Sequence, residues 1–282
     1  MGTVVLLNGE VLPAESARIS VFDHGFLFGD SVYEVVRTRH GRPFELDAHL
    51  ARLRRSAEQT YLEIPYTDGD LERELGRAIS LAANQESYVR IIVTRGVGEI
   101  ELHPATCGPP TLLLIVTPLR QPPDRFYREG IRLAIVGRRR MDPASLSPSA
   151  KTGNYLNNVL AIIEAKKRGA DDAVMLNTEG FLTEGTTSNI FFVRDGVAYT
   201  PALQTGILSG ITRGLVLRML SAERIGAREG NYGPEELRGA DEAFITSTTR
   251  DVMPVREVDA APVGLSRPGP VTRRLMERFA AL

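Results

Sequence analysis

Apolar residues in the first 120 positions follow two different periods, and each change of period marks an element. Val4–Asn8 and Glu10–Leu12 are short apolar runs split by Gly9, which predicts a hairpin opening a sheet. Val32–Arg39 and Arg42–Leu46, split by His40-Gly41, predict a second hairpin. Leu50, Leu53, Ala57 and Tyr61 then recur at intervals of three and four, one face of a helix with Asp47 as its cap. A second helix starts at Thr67–Asp70 and lays Leu71, Leu75, Ile79 and Ala82 along one side. Tyr88–Thr94 and Thr111–Thr117 are apolar and β-branched, as buried strands should be.

Leu119–Asp124, with Pro122-Pro123 inside it, interrupts this pattern and predicts a boundary. Beyond it the spacing predicts strands near Ile131–Val136, Asp172–Leu176, Ile190–Val193 and Ala243–Thr246. Helices are predicted near Asn154–Lys167, Thr212–Ala222 and Pro270–Ala280. The interleaving lacks the steady βαβ rhythm of a doubly wound sheet or a TIM barrel. The expected architecture is therefore α/β with mixed sheets in two domains: residues 1–120, a linker at 121–126, and residues 127–282.

Composition narrows the function without naming it. The 282 residues are 43% hydrophobic and 24% charged, with a net charge of −1, so no global field favours nucleic acid or an acidic membrane surface. The run Arg138-Arg139-Arg140 reads as a solvated loop. Cys107 is the only cysteine, which rules out an intrachain disulfide. His24, His40, His49 and His103 are too scattered for a metal site. Neither a G-x-S-x-G elbow nor a P-loop is present. The N-terminus lacks a basic leader and no apolar run approaches a membrane span, so a soluble cytoplasmic protein is expected.

Five motifs remain. DHGFLFGDSVYEVVR (Asp23 to Arg37) is followed by LDAHLARL, in which Arg52 lies two positions off the apolar stripe and alone would read as a surface arginine. SAKTGNYLNN (Ser149 to Asn158) carries Lys151 just before a helix entry. EGFLTEGTTSNIFFV (Glu179 to Val193) places Glu184 in a Gly/Thr/Ser turn leading into a strand. GILSGITRG (Gly206 to Gly214) turns from loop to helix at Thr212, where free backbone N–H groups form a ready anion site. FITSTTRD (Phe244 to Asp251) ends a strand in a hydroxyl cluster.

In this order the motifs resemble the fold-type-IV pyridoxal-phosphate enzymes, from about Leu6 to Phe279. Short microbial branched-chain aminotransferases are similar through SVFDHGFLFGD, YVRIIVTRGVGE, HPATC, KTGNYLNN, GFLTEG and ILSGITR. The resemblance implies a smaller N-terminal α/β domain and a larger, barrel-like C-terminal domain that carries the Schiff-base lysine. It implies pyridoxal 5′-phosphate as cofactor and a homodimer as the assembly. Lys151 matches the lysine that binds the cofactor aldehyde, and its amine must be neutral to act as a base. Glu184 matches the carboxylate on the pyridine nitrogen, Tyr155 a tyrosine on the ring oxygen, and Leu208 the aliphatic residue on the ring face. Arg52, the Ile211 and Thr212 backbone, and Thr248 match the phosphate cup.

Tyr33, Arg37, Tyr88, Arg90 and Thr249 match positions on the substrate side, with Arg90 a candidate carboxylate contact. Tyr33-Glu34-Val35 and Thr249-Arg250-Asp251 look more like D-amino-acid aminotransferases than branched-chain ones. Yet Ile100 and Leu102 stand where D-specific enzymes carry a paired arginine and histidine, which would leave the carboxylate to Arg90, Arg37 or Arg250. The expected reaction is transamination between an aliphatic amino acid, branched-chain L-amino acids favoured, and 2-oxoglutarate. D-amino-acid or broad-specificity transamination is the runner-up and aminodeoxychorismate lyase a further alternative. A protein that keeps the fold without turnover is the non-enzymatic one.

Overall fold

The structure is a computed structural model and describes residues 2–265 and 267–282. The chain divides into two compact units, one of Met1–Arg120 with Ala150–Asn154 and one of Gln121–Ser149 with Tyr155–Leu282. This corrects the expected boundaries at one functional point. The five residues that carry Lys151 belong to the first unit, although they lie well inside the second in sequence. The expected linker is also part of a structured unit, because a helix begins within it at Asp124.

In the first unit the elements are β1 (Val4–Leu7), β2 (Glu10–Pro13), α1 (His24–Phe28), β3 (Ser31–Arg39), β4 (Arg42–Pro43), α2 (Leu46–Gln59), α3 (Asp68–Ala82), β5 (Ser87–Thr94) and β6 (Thr111–Pro118). Among the described residues they form a six-stranded sheet in the order β2-β1-β6-β5-β3-β4. Every pairing within it is antiparallel. α2 and α3 cover one face. Leu50 and Leu53 of α2 and Leu71 and Leu75 of α3 meet Val36, Ile91 and Leu114 in a sealed core. α3 starts as its sequence asks, with Thr67 and Asp70 exchanging hydrogen bonds in a capping box. α2 does not. Its N-cap is Glu45 in a left-handed conformation without a side-chain cap, and Asp47 sits in the first turn, where its charge suits the helix dipole. Tyr61 lies beyond the helix end and is 92% exposed, so it does not belong to the stripe.

The second unit runs α4 (Asp124–Glu129), β7 (Ile131–Arg139), α5 (Leu156–Lys167), β8 (Asp172–Leu176), β9 (Leu182–Gly185), β10 (Asn189–Arg194), β11 (Val197–Pro201), α6 (Ile211–Ala222), β12 (Ala227–Gly230), α7 (Pro234–Arg238), β13 (Glu242–Ser247), β14 (Asp251–Val258), β15 (Ala261–Pro262) and α8 (Pro270–Ala280). The main path of its sheet is β12-β11-β10-β13-β14-β7-β8-β9. β9 also pairs with β10, through Glu184 and Asn189. That pairing closes β10, β13, β14, β7, β8 and β9 into a ring, the barrel-like sheet. α5 lies close on β7 and β8 because its buried residues are small: Ala161 and Ala165 pack on Ala134, Ala173 and Met175. Inside the ring, Ile135, Val174, Leu182, Ile190, Ile245 and Met253 belong to one apolar cluster.

Candidate functional site

In the first unit, Ala150–Asn154 lies along the edge of β3 that β5 leaves open. Val32 and Thr152 form an antiparallel bridge. Tyr33 N donates to Lys151 O at 2.9 Å, and Gly153 N to Ser31 O at 2.9 Å. A Cβ on Gly153 would strike Ser31 Oγ, so a larger residue there would have to displace that hydroxyl. Antiparallel neighbours share a face, so the Tyr33 and Lys151 side chains stand side by side. Lys151 Nζ donates to Tyr33 Oη at 3.2 Å and lies 4.3 Å from the centre of that ring. The Lys151 amide is held as well, donating to Ser56 Oγ on α2 at 3.0 Å.

The β3–β5 register pairs Val35 with Arg90 and Arg37 with Tyr88. Alternation therefore places Tyr33, Arg37, Tyr88 and Arg90 on the face that carries Lys151. The Arg90 guanidinium carbon lies 4.1 Å from the Tyr33 ring centre, so one aromatic ring receives both basic side chains. The opposite face holds a sealed charge cluster. Arg52 grips Glu34 with Nε at 2.6 Å and Nη2 at 2.8 Å, and His49 Nδ1 reaches the same carboxylate at 2.8 Å. Burial alone would raise the Glu34 carboxyl, but the charge and hydrogen bonds of Arg52, aided by His49, hold it down at about 2. Arg52 is therefore a buried residue, not the surface arginine its sequence position suggests.

In the second unit, Glu184 sits at the closure of the ring. Its Oε2 accepts from Leu208 N at 3.0 Å and from Asn189 Nδ2 at 3.2 Å, and its Oε1 lies 2.7 Å from Arg140 Nη2. Asn189 Nδ2 also donates to Leu208 O at 3.0 Å, pinning the Gly206–Gly210 loop. That loop leads to α6, whose N-cap Gly210 makes no side-chain cap bond and whose first turn holds Ile211 and buried Thr212. A Cβ on Gly210 would collide with Asn189 Oδ1. Tyr155 occupies the N-cap position of α5 and is half-buried. Thr248 and Thr249 lie in the turn between β13 and β14. Arg250, beside them, is committed elsewhere: it binds Asp172 at 2.7 Å and Thr187 at 2.8 Å.

The residues that sequence reasoning missed are Arg140, Asn158 and Asn189. Arg138 and Arg139 are exposed as expected of a solvated run, but Arg140 turns inward onto Glu184. Among the described residues no group of histidine, cysteine and carboxylate side chains could hold a metal ion, and no helix is long and apolar enough to cross a membrane.

A family model for amino-transferase class IV matches residues 31–258. The chain belongs to the class IV aminotransferases. This pyridoxal-phosphate-dependent aminotransferase is 38% identical over 275 residues to a Methanocaldococcus jannaschii protein named "Putative branched-chain-amino-acid aminotransferase", covering 98% of this chain and 94% of that relative. It is also 31% identical over 271 residues to the D-alanine aminotransferase of Bacillus licheniformis, covering 96% of this chain and 94% of the relative. Among solved structures, the branched-chain aminotransferase of Thermoproteus uzoniensis with norvaline superposes with a TM-score of 0.91. Identity there is 32%, over 99% of this aminotransferase and 94% of the other chain.

Proposed function

We propose that this enzyme transfers an amino group between an aliphatic amino acid, branched-chain L-amino acids favoured, and 2-oxoglutarate, with Lys151 holding pyridoxal 5′-phosphate. The observation that carries this reading is the setting of the lysine. Strand pairing holds its carbonyl and the Ser56 hydroxyl its amide, and Nζ stands against Tyr33 on the face that also presents Arg90.

The donor set suits the cofactor. A dianionic phosphate calls for a helix N-terminus and hydroxyls, which the Ile211 and Thr212 amides and Thr248 supply in the second unit; Arg52, matched to the phosphate cup by the resemblance, is engaged with Glu34 in the first. Glu184, presented as an acceptor, suits a ring N–H, Leu208 the apolar ring face, and Tyr155 the ring oxygen. Bound there, pyridoxal 5′-phosphate supplies an electrophilic carbon and an electron-accepting ring. Lys151 Nζ takes the α-proton of the amino donor and returns it on the other side of the exchange. Tyr33 Oη steers that amine. Arg90, on the same face as Tyr33, Arg37 and Tyr88, binds carboxylate, the group that amino acid and 2-oxo acid have in common, and Thr249 of the second unit is a further substrate-side candidate.

The relatives named for branched-chain amino acids support the L-specific reading. A D-specific reading is favoured by Tyr33-Glu34-Val35 and by the D-alanine aminotransferase likeness. It cannot draw on Arg250, whose guanidinium is spent on Asp172. A homodimer is supported by apolar residues exposed in each unit: Phe22, Phe26, Val97, Ile100 and Leu102 in the first, and Leu156, Val159 and Ile163 along α5 in the second. The deciding experiment adds L-leucine and D-alanine separately to the cofactor-loaded enzyme and follows its visible absorption. Bleaching by L-leucine supports the reading. Bleaching by D-alanine alone replaces it with the D-specific one, and no visible band in loaded protein removes both.

A further inference from the structure

Glu184 is not held by its own strand. Arg140 follows the last residue of β7, and its amide donates to Leu176 O on β8 at 2.8 Å, which aims the side chain inward while its neighbours stay in solvent. Each guanidinium nitrogen then has its own partner. Nη2 takes Glu184 Oε1 at 2.7 Å, Nη1 takes Asn158 Oδ1 on α5 at 3.2 Å, and Nε reaches Gly206 O at 3.4 Å, a weaker contact. Asn158 is itself fixed, donating to Thr186 O at 2.7 Å in the turn after Glu184. On the other side of the carboxylate, Asn189 and Leu208 N hold Oε2 and the same Gly206–Gly210 loop. The side chains of Arg140 and Glu184 are 14% and 8% exposed, so water screens this pair little.

We infer that Arg140 is a positioning residue: it locks Glu184, and with it the loop before α6, into the one arrangement in which that carboxylate can face a cationic ring nitrogen. The inference rests on the proposed role of Glu184. Without the guanidinium, Oε1 loses its charged donor, Asn158 keeps only its bond to Thr186 O, and the loop bearing Leu208 loses a weak tie at Gly206. A surface charge run would do none of this. Neutralising Arg138, an exposed neighbour, serves as the control and leaves the enzyme unchanged.

The test is a double-mutant cycle of Arg140→Gln with Glu184→Gln, read first as the dissociation constant of pyridoxal 5′-phosphate for the apoprotein. A role exercised through Glu184 makes the effects non-additive. Each single variant weakens binding about tenfold, and the double variant is little worse than either. The pH profile of kcat supplies the second readout. In Arg140→Gln its acid limb moves upward by about one unit, because a carboxyl that has lost its cation takes a proton more readily. Arg140→Lys, which restores the charge without the fork, returns that limb to its place while kcat stays below the parent. Additive losses in the cycle, or an acid limb unmoved by Arg140→Gln, overturn the inference and leave Arg140 a merely structural residue. A Glu184→Gln variant that binds cofactor as the parent does overturns the reading of Glu184 itself, a different failure. If Arg140→Gln does not fold by circular dichroism, the same cycle run with Arg140→Lys decides between additive and coupled behaviour.

Discussion

Lys151 and Tyr33 show how backbone pairing places a reactive group. A lysine side chain has four rotatable bonds and little reason to stay in one place, so its aim depends on the atoms at its base. Here both flanking peptide groups are hydrogen-bonded, and the nearest side chain is an aromatic ring with a hydroxyl at its tip. Lys151→Ala is expected to abolish transamination and the visible band while leaving the far-ultraviolet circular dichroism unchanged, since the pairing uses backbone atoms. Arg90→Gln is expected to raise KM for 2-oxoglutarate at least tenfold with a much smaller change in kcat. The loss of a charge-assisted hydrogen bond is worth about 1.5–3 kcal/mol. Motif order singles out Lys151, Glu184 and Arg52 as candidates, because each sits in a short pattern of its own. Arg140 was illegible for the opposite reason. Three consecutive arginines look alike in sequence, and only the pairing of β7 with β8 distinguishes the one that turns inward.

At the scale of elements, β3 and α2 are joined by an ion pair where an apolar contact would be usual. Removing Glu34 leaves the Arg52 guanidinium buried without its carboxylate. Glu34→Ala is therefore expected to destabilise the fold by about 3–5 kcal/mol in chemical denaturation. The sign of the pH dependence follows from the depressed carboxyl. Its contribution is complete above the ordinary glutamate value of 4.5 and is lost as pH falls through about 2, so the parent loses stability across that window. Glu34→Ala should lose this part of the acid sensitivity, which denaturation curves at pH 5 and pH 3 would check. Gly210→Ala is expected to weaken cofactor binding, because the new methyl displaces Asn189 from the Glu184 carboxylate; titration of the apoprotein reads this directly. Long periodic helices and apolar strands were visible in sequence, whereas β9, β12 and β14 were not. β9 has four residues, β12 is the polar run AREG at a sheet edge, and β14 carries Pro254 in its middle. Their strand character comes from their partners, which local composition does not report.

At the scale of the molecule, the exposed apolar groups make oligomerisation testable. Ile100 and Leu102 are 71% and 84% exposed in the single chain. Ile100→Asp combined with Leu102→Asp is expected to shift the enzyme from dimer to monomer in analytical ultracentrifugation. A parent that sediments as a monomer would end the dimer proposal. Domain organisation was only half legible. The division near residue 120 coincides with a change of pattern and a proline pair. The return of Ala150–Asn154 to the first unit depends on pairing across more than a hundred residues of chain, which no local signal carries.

The ring of the second unit imposes an order of events. Its first strand, β7, pairs with nearly its last, β14, joining Ile131 to Val255. Glu184 stands at the seam where the same ring closes onto β10. A nascent chain that has emerged only as far as α6 already contains Lys151, Arg52, Arg140 and Glu184, yet it lacks β13 and β14 and cannot complete the circle. The groups that hold Glu184 are thus made early, but the ring around it closes only once the chain has been extended through residue 258.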